Sequence, residues 1–262
     1  MKLKIGKISY ANLFPIFYML QKYDCQDYEF IEGVPSELNS MIRNGEIDVS
    51  PSSSIEYLRH MDSYKLISGH SISSFGPVGS ILLFSKRPVE ALEGLTILTS
   101  SQSETSVALL KIILRKFYEI DCPLKSSSEP VGKAMLAHEA YLLIGDEALR
   151  EALKWPRLKI YDLGDVWYRN TGLPSVFALW IARKDFYANH TTLVTGFLAD
   201  LDRSKVAALK QLSSIAADCG LRHILSENGL VSYWRSISYD LTDDHRKGLK
   251  LFSDYARELG LL

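Results

Sequence analysis

Lysines alternate with apolar residues from the first positions of the chain, Lys2-Leu3-Lys4-Ile5-Gly6-Lys7-Ile8. That period of two predicts a strand over Lys2–Ile8. Ser9–Phe14 then reads as a turn, and Pro15 can open a helix because a first-turn residue needs no N–H. Glu29–Ile31 predicts a second strand. Pro35–Arg43 predicts a helix with Leu38, Met41 and Ile42 on one face, stopped by Asn44-Gly45. Ile47-Asp48-Val49 predicts a third strand, followed by a polar turn Pro51–Ser54 and a new helix start. Tyr64–Ile67 and Ser80–Phe84 predict two more strands. This β-α-β-α rhythm specifies a mostly parallel sheet covered by helices. Ligands of such sheets bind beyond the carboxyl ends of the strands. Tyr10-Ala11-Asn12, Pro51–Ser54 and the stretch entering Ser80 all fall at that edge.

A second βα series begins at Leu95–Thr99. Ser101-Gln102-Ser103-Glu104 has capping-box spacing, and Val107, Leu110, Leu114 and Phe117 follow at helical intervals. Ala140–Ile144 predicts a buried strand ending at Gly145-Asp146-Glu147, and Lys159–Leu163 another. After Thr171-Gly172-Leu173-Pro174, Ser175–Ala182 predicts a strand returning to the first lobe. From Thr192 the pattern is helical. Phe197, Leu198, Leu201, Leu209, Leu212 and Ile215 make one apolar stripe, ended by Gly220. Thr242 caps a last helix, with Asp243 and Asp244 in its first turn. The expected architecture is α/β with two βα lobes. Lobe I takes residues 1–90 and 175–262, and lobe II takes 91–174. Crossings fall near Lys86–Leu95 and Thr171–Ser175, and the ligand cleft lies between the lobes. The sequence shows no internal repeat.

The 262 residues are 47% hydrophobic and 23% charged, an ordinary globular balance. A net charge of −1 offers no long-range attraction to nucleic acid or an anionic membrane. Cys25, Cys122 and Cys219 are odd in number and contain no C-x-x-C pair, so they read as packed free thiols of a reducing compartment. The basic start is not followed by an apolar h-region, which argues against a signal peptide and for a cytoplasmic location. No stretch approaches the ~20 apolar residues of a membrane span. His60, His70, His138, His190, His223 and His245 show no metal-ligand spacing, and no metal or organic cofactor is expected. The glycine-rich phosphate loops, the H-E-x-x-H pattern and the G-x-S-x-G pattern are absent. Oligomeric state is not legible.

Neutral polar groups are dense at the strand ends: Ser52, Ser53, Ser54, Ser80, Ser103, Thr105 and Ser106. Singly, each suits a cap or turn. Together they describe a pocket that holds a polar or anionic ligand through hydroxyls and helix-start amides. Glu104 opposes a strong anion site at its own helix unless it points away from the cleft.

The ordered blocks of the chain resemble one family. They are Ile5 through Pro15, containing Ser9-Tyr10-Ala11-Asn12; Pro35–Asn39; Gly45–Val49; Pro51–Tyr57; Gly76–Ile81; Ser103–Val107; Ile144–Leu149; Asp162–Trp167; Thr171–Pro174; Tyr239–Leu241; and Gly260–Leu262. Together they are similar to the chorismate dehydratase family of the futalosine route to menaquinone. The resemblance implies a type II periplasmic-binding-protein-like fold and a hydro-lyase activity. That activity converts chorismate to 3-[(1-carboxyvinyl)oxy]benzoate. It also implies that Asn12 and Ser80 lie at the reacting centre. Substrate contacts are then expected from Tyr10, Ser52, Ser53, Thr105, Ser106, Gly145 and Asp146. Two alternatives stand beside it. One is the dihydroxynaphthoate synthase of the same pathway, whose pattern carries a histidine where this chain has Gly145-Asp146-Glu147. The other is a non-catalytic module that binds or senses an aromatic acid.

Overall fold

The computed structural model describes residues 2–22 and 27–262, so Cys25 lies outside the described residues. The chain begins with β1 (Leu3–Ile8), a 3-10 turn at Ala11–Leu13 and α1 (Phe14–Leu20). It continues through β2 (Tyr28–Gly33), α2 (Pro35–Arg43), β3 (Val49–Ser53), α3 (Ser54–Arg59) and β4 (Tyr64–Ser74). Pro15 sits in the first turn of α1, where its missing N–H is harmless. The third strand starts later than expected and takes in Pro51-Ser52-Ser53, which the sequence suggested as a turn. A proline is tolerated there because β1 pairs with β3 only at Ile5–Val49, before Pro51.

Next come β5 (Ile81–Ser85), β6 (Ile97–Ser100), α4 (Glu104–Lys116), β7 (Leu124–Ser127) and α5 (Val131–Ala137). β8 (Ala140–Ile144), α6 (Gly145–Ala152), β9 (Lys159–Asp162) and α7 (Leu163–Thr171) complete this part. The chain returns through β10 (Ser175–Arg183) and ends in α8 (Lys184–Asn189), α9 (Thr191–Lys210), α10 (Leu212–Asp218), α11 (Glu227–Ser236) and α12 (Asp243–Glu258). The long apolar stripe is therefore two helices. It breaks at Gln211, and Leu209 beside the break is 45% exposed.

The strands form two five-stranded sheets, ordered β2-β1-β3-β10-β4 and β7-β6-β8-β5-β9. The order is 2-1-3-n-4 in both when β1–β4 and β6–β9 are each numbered 1 to 4 and n is the strand entering from the other sheet, a repeat of topology that the sequence does not display. In each sheet one strand runs against its neighbours, β10 in the first and β5 in the second. Both are the first strands after a crossing. This corrects the expected boundary at residue 90. Strand β5 pairs with β8 and β9, so the first crossing is the short segment between Ser74 and Ile81, not Lys86–Leu95. The second crossing, between α7 and β10, falls at 172–174.

β8 reads Ala-Tyr-Leu-Leu-Ile without alternation because both of its faces are covered, and all five residues are buried. Trp180 of β10 packs with Phe17 of α1 and Phe197 of α9 under the first sheet. Trp167 of α7 meets Phe252 and Tyr255 of α12 and Phe117 beyond α4. The last helix thus touches both halves, since it also packs on β10. No described helix is long and apolar enough to cross a membrane.

Candidate functional site

A cavity of about 580 Å³, counting its open mouth, lies where the two sheets face each other. One wall carries Ile8 at the end of β1, Tyr10 and Asn12 after it, Pro35 at the start of α2, Ser53 at the end of β3, and Phe177 and Ala178 of β10. The facing wall carries Val78 and Ser80, Ser103 and Ser106 at the start of α4, and Ile144 and Gly145 where β8 passes into α6. Strand β5 runs antiparallel to β8, so its amino end lies beside the carboxyl end of β8. Ile81 pairs with Ile144, and the Gly145 amide donates to the Ser80 carbonyl at 2.8 Å. That geometry brings Ser80 to the ligand edge.

Asn12 is held by its backbone, which leaves its side chain free. The Tyr239 hydroxyl donates to the Asn12 carbonyl at 2.7 Å. The Ala11 carbonyl accepts from Trp234 Nε1 at 2.7 Å, and the Ala11 amide donates to Asp146 Oδ1 at 2.9 Å. Asn12 Oδ1 is buried and has no hydrogen-bond partner. A buried carbonyl oxygen left unpaired is costly, so one that lines a cavity marks a place for a donor from a ligand.

Ser80 Oγ accepts from the Tyr233 hydroxyl at 2.9 Å. The segment leading to it is pinned by Asp162, whose carboxylate accepts from the amides of Val78 at 3.0 Å and Gly79 at 2.6 Å. Gly79 has φ +76°, the left-handed backbone that favours glycine. Asp162 also caps α7 through the amides of Gly164 and Asp165. Burial pushes its carboxyl up, and these four amides pull it back.

Ser53 caps α3 and accepts from Asn39 Nδ2 at 2.8 Å, so its own hydrogen can be given to the cavity. The cap of α4 is Ser103, not Ser101: Ser103 Oγ accepts from the Ser106 amide and lies 2.9 Å from Ser106 Oγ. Glu104 turns outward to Arg59 of α3, which takes its charge away from the cleft.

Of the residues expected from the sequence, Asn12, Ser80, Tyr10, Ser53, Ser106 and Gly145 come together on the cavity wall. Three do not. Ser52 alternates with Ser53 along β3, and its hydroxyl is buried away from the cavity. Thr105 Oγ1 accepts from the Ile55 amide at 3.0 Å, which makes it a clamp between α3 and α4. Asp146 is spent on the Ala11 amide and positions the Asn12 turn, and burial raises its carboxyl above the usual range. Tyr10 contributes its ring only, since its hydroxyl donates to Gln102 across the cleft. That ring lies over Gly145, where a Cβ would stand 3.0 Å from it. The sequence reading missed Tyr233, Trp234 and Tyr239. The spacing Leu230, Tyr233, Trp234, Ile237 carried a helical signal, but nothing in it pointed to the cleft.

The described lining residues include no lysine, arginine, aspartate or glutamate, and Tyr10 is the sole lining group that titrates. Burial, then the nearby Asp146 and Glu147, push its phenol well above the ordinary value, so it stays neutral. Among the described residues no group of three or more His, Cys, Asp or Glu gathers as a metal site.

Two α/β lobes joined by short crossings, with polar helix starts converging on a cleft between them, define the periplasmic-binding-protein-like class. Solved structures carry the same fold. A protein of Archaeoglobus fulgidus superposes with a TM-score of 0.80 at 20% identity, covering 100% of this chain and 98% of that one. The periplasmic aliphatic sulphonate binding protein of Escherichia coli superposes with a TM-score of 0.67 at 14% identity, covering 100% and 88%. Within that class the chain belongs to the menaquinone biosynthesis family, whose model matches residues 3–258. It is 30% identical over 267 aligned positions to the chorismate dehydratase of Thermus thermophilus, covering 95% of this chain and 93% of that protein. It is 33% identical to the chorismate dehydratase of Campylobacter jejuni over 178 positions, covering 66% and 64%.

Proposed function

We propose that the chain is a chorismate dehydratase, a hydro-lyase that removes water from chorismate. The ring carbon that bears the ether gives up its proton, the C–H electron pair becomes the new ring C=C, and the hydroxyl on the adjacent ring carbon leaves with the electron pair of its C–O bond. A new C=C bond completes the aromatic ring, and proton and hydroxide leave as water. The drive is in the substrate, so the protein has to orient it and help the hydroxyl depart. Orientation alone can supply ~7–11 kcal/mol of a barrier.

The observation that carries the reading is the pair formed by Asn12 Oδ1, buried and unpartnered, and Ser80 on the facing wall of the same cavity. Asn12 Oδ1 accepts from the leaving hydroxyl, or its Nδ2 donates to the ring carboxylate, and Ser80 holds or relays a proton. Hydroxyls of Ser53, Ser103 and Ser106 and the amides at their helix starts suit the substrate carboxylates. Among the described residues no ionised carboxylate or histidine lines the cavity, which supports a carboxylate of the substrate itself as the proton acceptor. A cytoplasmic location is part of the reading, and the free, buried thiols of Cys122 and Cys219 suit a reducing compartment.

The test is incubation with chorismate, followed by ultraviolet absorbance and chromatography. Loss of the diene with gain of an aromatic product is expected. Asn12→Ala and Ser80→Ala are each expected to lower kcat about 100-fold or more with the unfolding transition retained. Saturable binding without turnover would replace this reading with a binding module. Near-normal rates in both variants would remove the assigned roles.

A further inference from the structure

Residues 233–239 give three hydrogen bonds to the cavity wall. Two go to backbone carbonyls, of Ala11 and Asn12, which can only accept. The third joins the Tyr233 hydroxyl to Ser80 Oγ at 2.9 Å, where either oxygen has a hydrogen to give. The phenol is much the stronger acid, so it donates and the serine oxygen accepts. Ser80 then has its own hydrogen left, and the direction left for it is the cavity it lines. Tyr233 is held for this. Its ring is 6% exposed and lies 3.6 Å from where a Cβ on Gly79 would stand, against the residue that precedes Ser80. Burial keeps its phenol protonated throughout the range in which an enzyme works.

We infer that Tyr233 is a positioning residue that orients the Ser80 hydroxyl as a hydrogen-bond donor into the cavity, toward the departing hydroxyl of the substrate. The inference rests on the chorismate reading and adds a residue to it. Without the phenol hydroxyl, Ser80 can rotate its hydrogen away, and the cost falls on turnover more than on binding.

Steady-state turnover of chorismate by the full chain tests this with Tyr233→Phe, which keeps the ring. The expected result is a kcat about tenfold lower, equivalent to about 1.4 kcal/mol of barrier, with KM changed less than about twofold. In a Ser80→Ala background the same change is expected to alter kcat less than about twofold, because the group it orients is gone. A purely structural Tyr233 would lower both backgrounds equally, and that outcome overturns the inference. So does a Y233F kcat within about twofold of wild type. A second variant carries 3-fluorotyrosine at position 233, which preserves the packing and donates more strongly. Its kcat is expected at or above wild type, and a tenfold loss overturns the inference. Wild-type enzyme that leaves chorismate unchanged overturns the substrate reading along with it. Wild-type turnover with an unaffected Y233F overturns this inference alone.

Discussion

Asp162 ties the first crossing to the start of α7, and its removal should cost both stability and rate. Its two oxygens accept from Val78, Gly79, Gly164 and Asp165. Asp162→Ala deletes the cap of α7, worth about 1 kcal/mol. It also strips the amides of Val78 and Gly79 of their partner in a part-buried place, at about 1 kcal/mol each. Against these about 3 kcal/mol stands the relief of no longer burying a carboxylate whose charged form burial disfavours. The net loss is about 2 kcal/mol. At this chain length that lowers Tm by about 4–8 °C. Asp162→Asn keeps one acceptor oxygen and should lose about half as much. Ser80 follows Gly79 directly, so a crossing freed from Asp162 also shifts the hydroxyl at the cavity, and kcat should fall about tenfold or more. Urea titration followed by circular dichroism gives the first quantity, and chorismate turnover per folded enzyme gives the second. A D162A protein within about 0.5 kcal/mol of wild type, turning over within about twofold of it, would refute the reasoning.

Three other outcomes follow from single contacts. Gly145→Ala puts a Cβ 3.0 Å from the Tyr10 ring at a backbone of φ +59°. It should cost about 1–2 kcal/mol in a thermal melt and raise KM several-fold by disturbing the Tyr10–Gln102 contact, and an unchanged melt and KM would contradict it. Thr105→Val keeps the shape but leaves the Ile55 amide without its acceptor, at about 1–3 kcal/mol in urea titration, and wild-type stability would exclude the clamp. His70 is nearly fully buried, and burial, followed by Lys205, lowers its pKa to about 4 against the opposing pull of Asp202 and Asp240. The folded state therefore keeps it neutral where the unfolded chain binds a proton. This part of the stability is complete above about pH 6.5 and is lost as pH falls from there toward 4, by up to about 3 kcal/mol. Titrating stability against pH should show that slope in wild type and a shallower one in His70→Gln, and equal slopes would remove His70 as the source.

Where local pattern decides the structure, the sequence was legible. Pro35–Arg43 and Ala140–Ile144 have the bounds read from their apolar spacing, and Thr242 caps the last helix as expected. The departures have a common physical cause, which is that long-range pairing overrides local signals. Pro51-Ser52-Ser53 looks like a turn because proline and serine favour turns. It is strand because β10, more than a hundred residues later, pairs with it: Leu179 with Ser52 and Ala178 with Ser53. The identity of the partner sheet for β5 is equally invisible locally, which moved the first crossing from 86–95 to the segment before Ile81. The same limit governs the site. Residues at strand ends could be proposed from position, and Asn12, Ser53 and Ser80 reached the cavity. Whether Thr105 or Asp146 faced a ligand or another backbone depended on contacts of 50 and 135 residues separation. Tyr233 reaches Ser80 over 153 positions, beyond any periodicity.

The absence of fixed charge among the described lining residues bears on how such a cavity would handle a dianion. A lysine or arginine paired with a substrate carboxylate would hold it tightly but would also lower its proton affinity, the property required if that carboxylate is to take the ring proton. Helix-start amides and serine hydroxyls bind a carboxylate with partial charges only. Several such starts meet at the cavity, at Pro35, Ser53, Ser103 and Gly145, contributed by α2, α3, α4 and α6. One carboxylate can therefore be anchored at the α4 start by the Ser103–Ser106 pair, whose competing Glu104 is drawn off by Arg59. On the proposed reading the other would fall to the neutral remainder of the wall, where low polarity would raise its affinity for a proton. On the proposed reading, holding one carboxylate by helix amides and leaving its twin basic would supply both orientation and a proton acceptor from a fold that places no ionised side chain among the described residues lining the cleft.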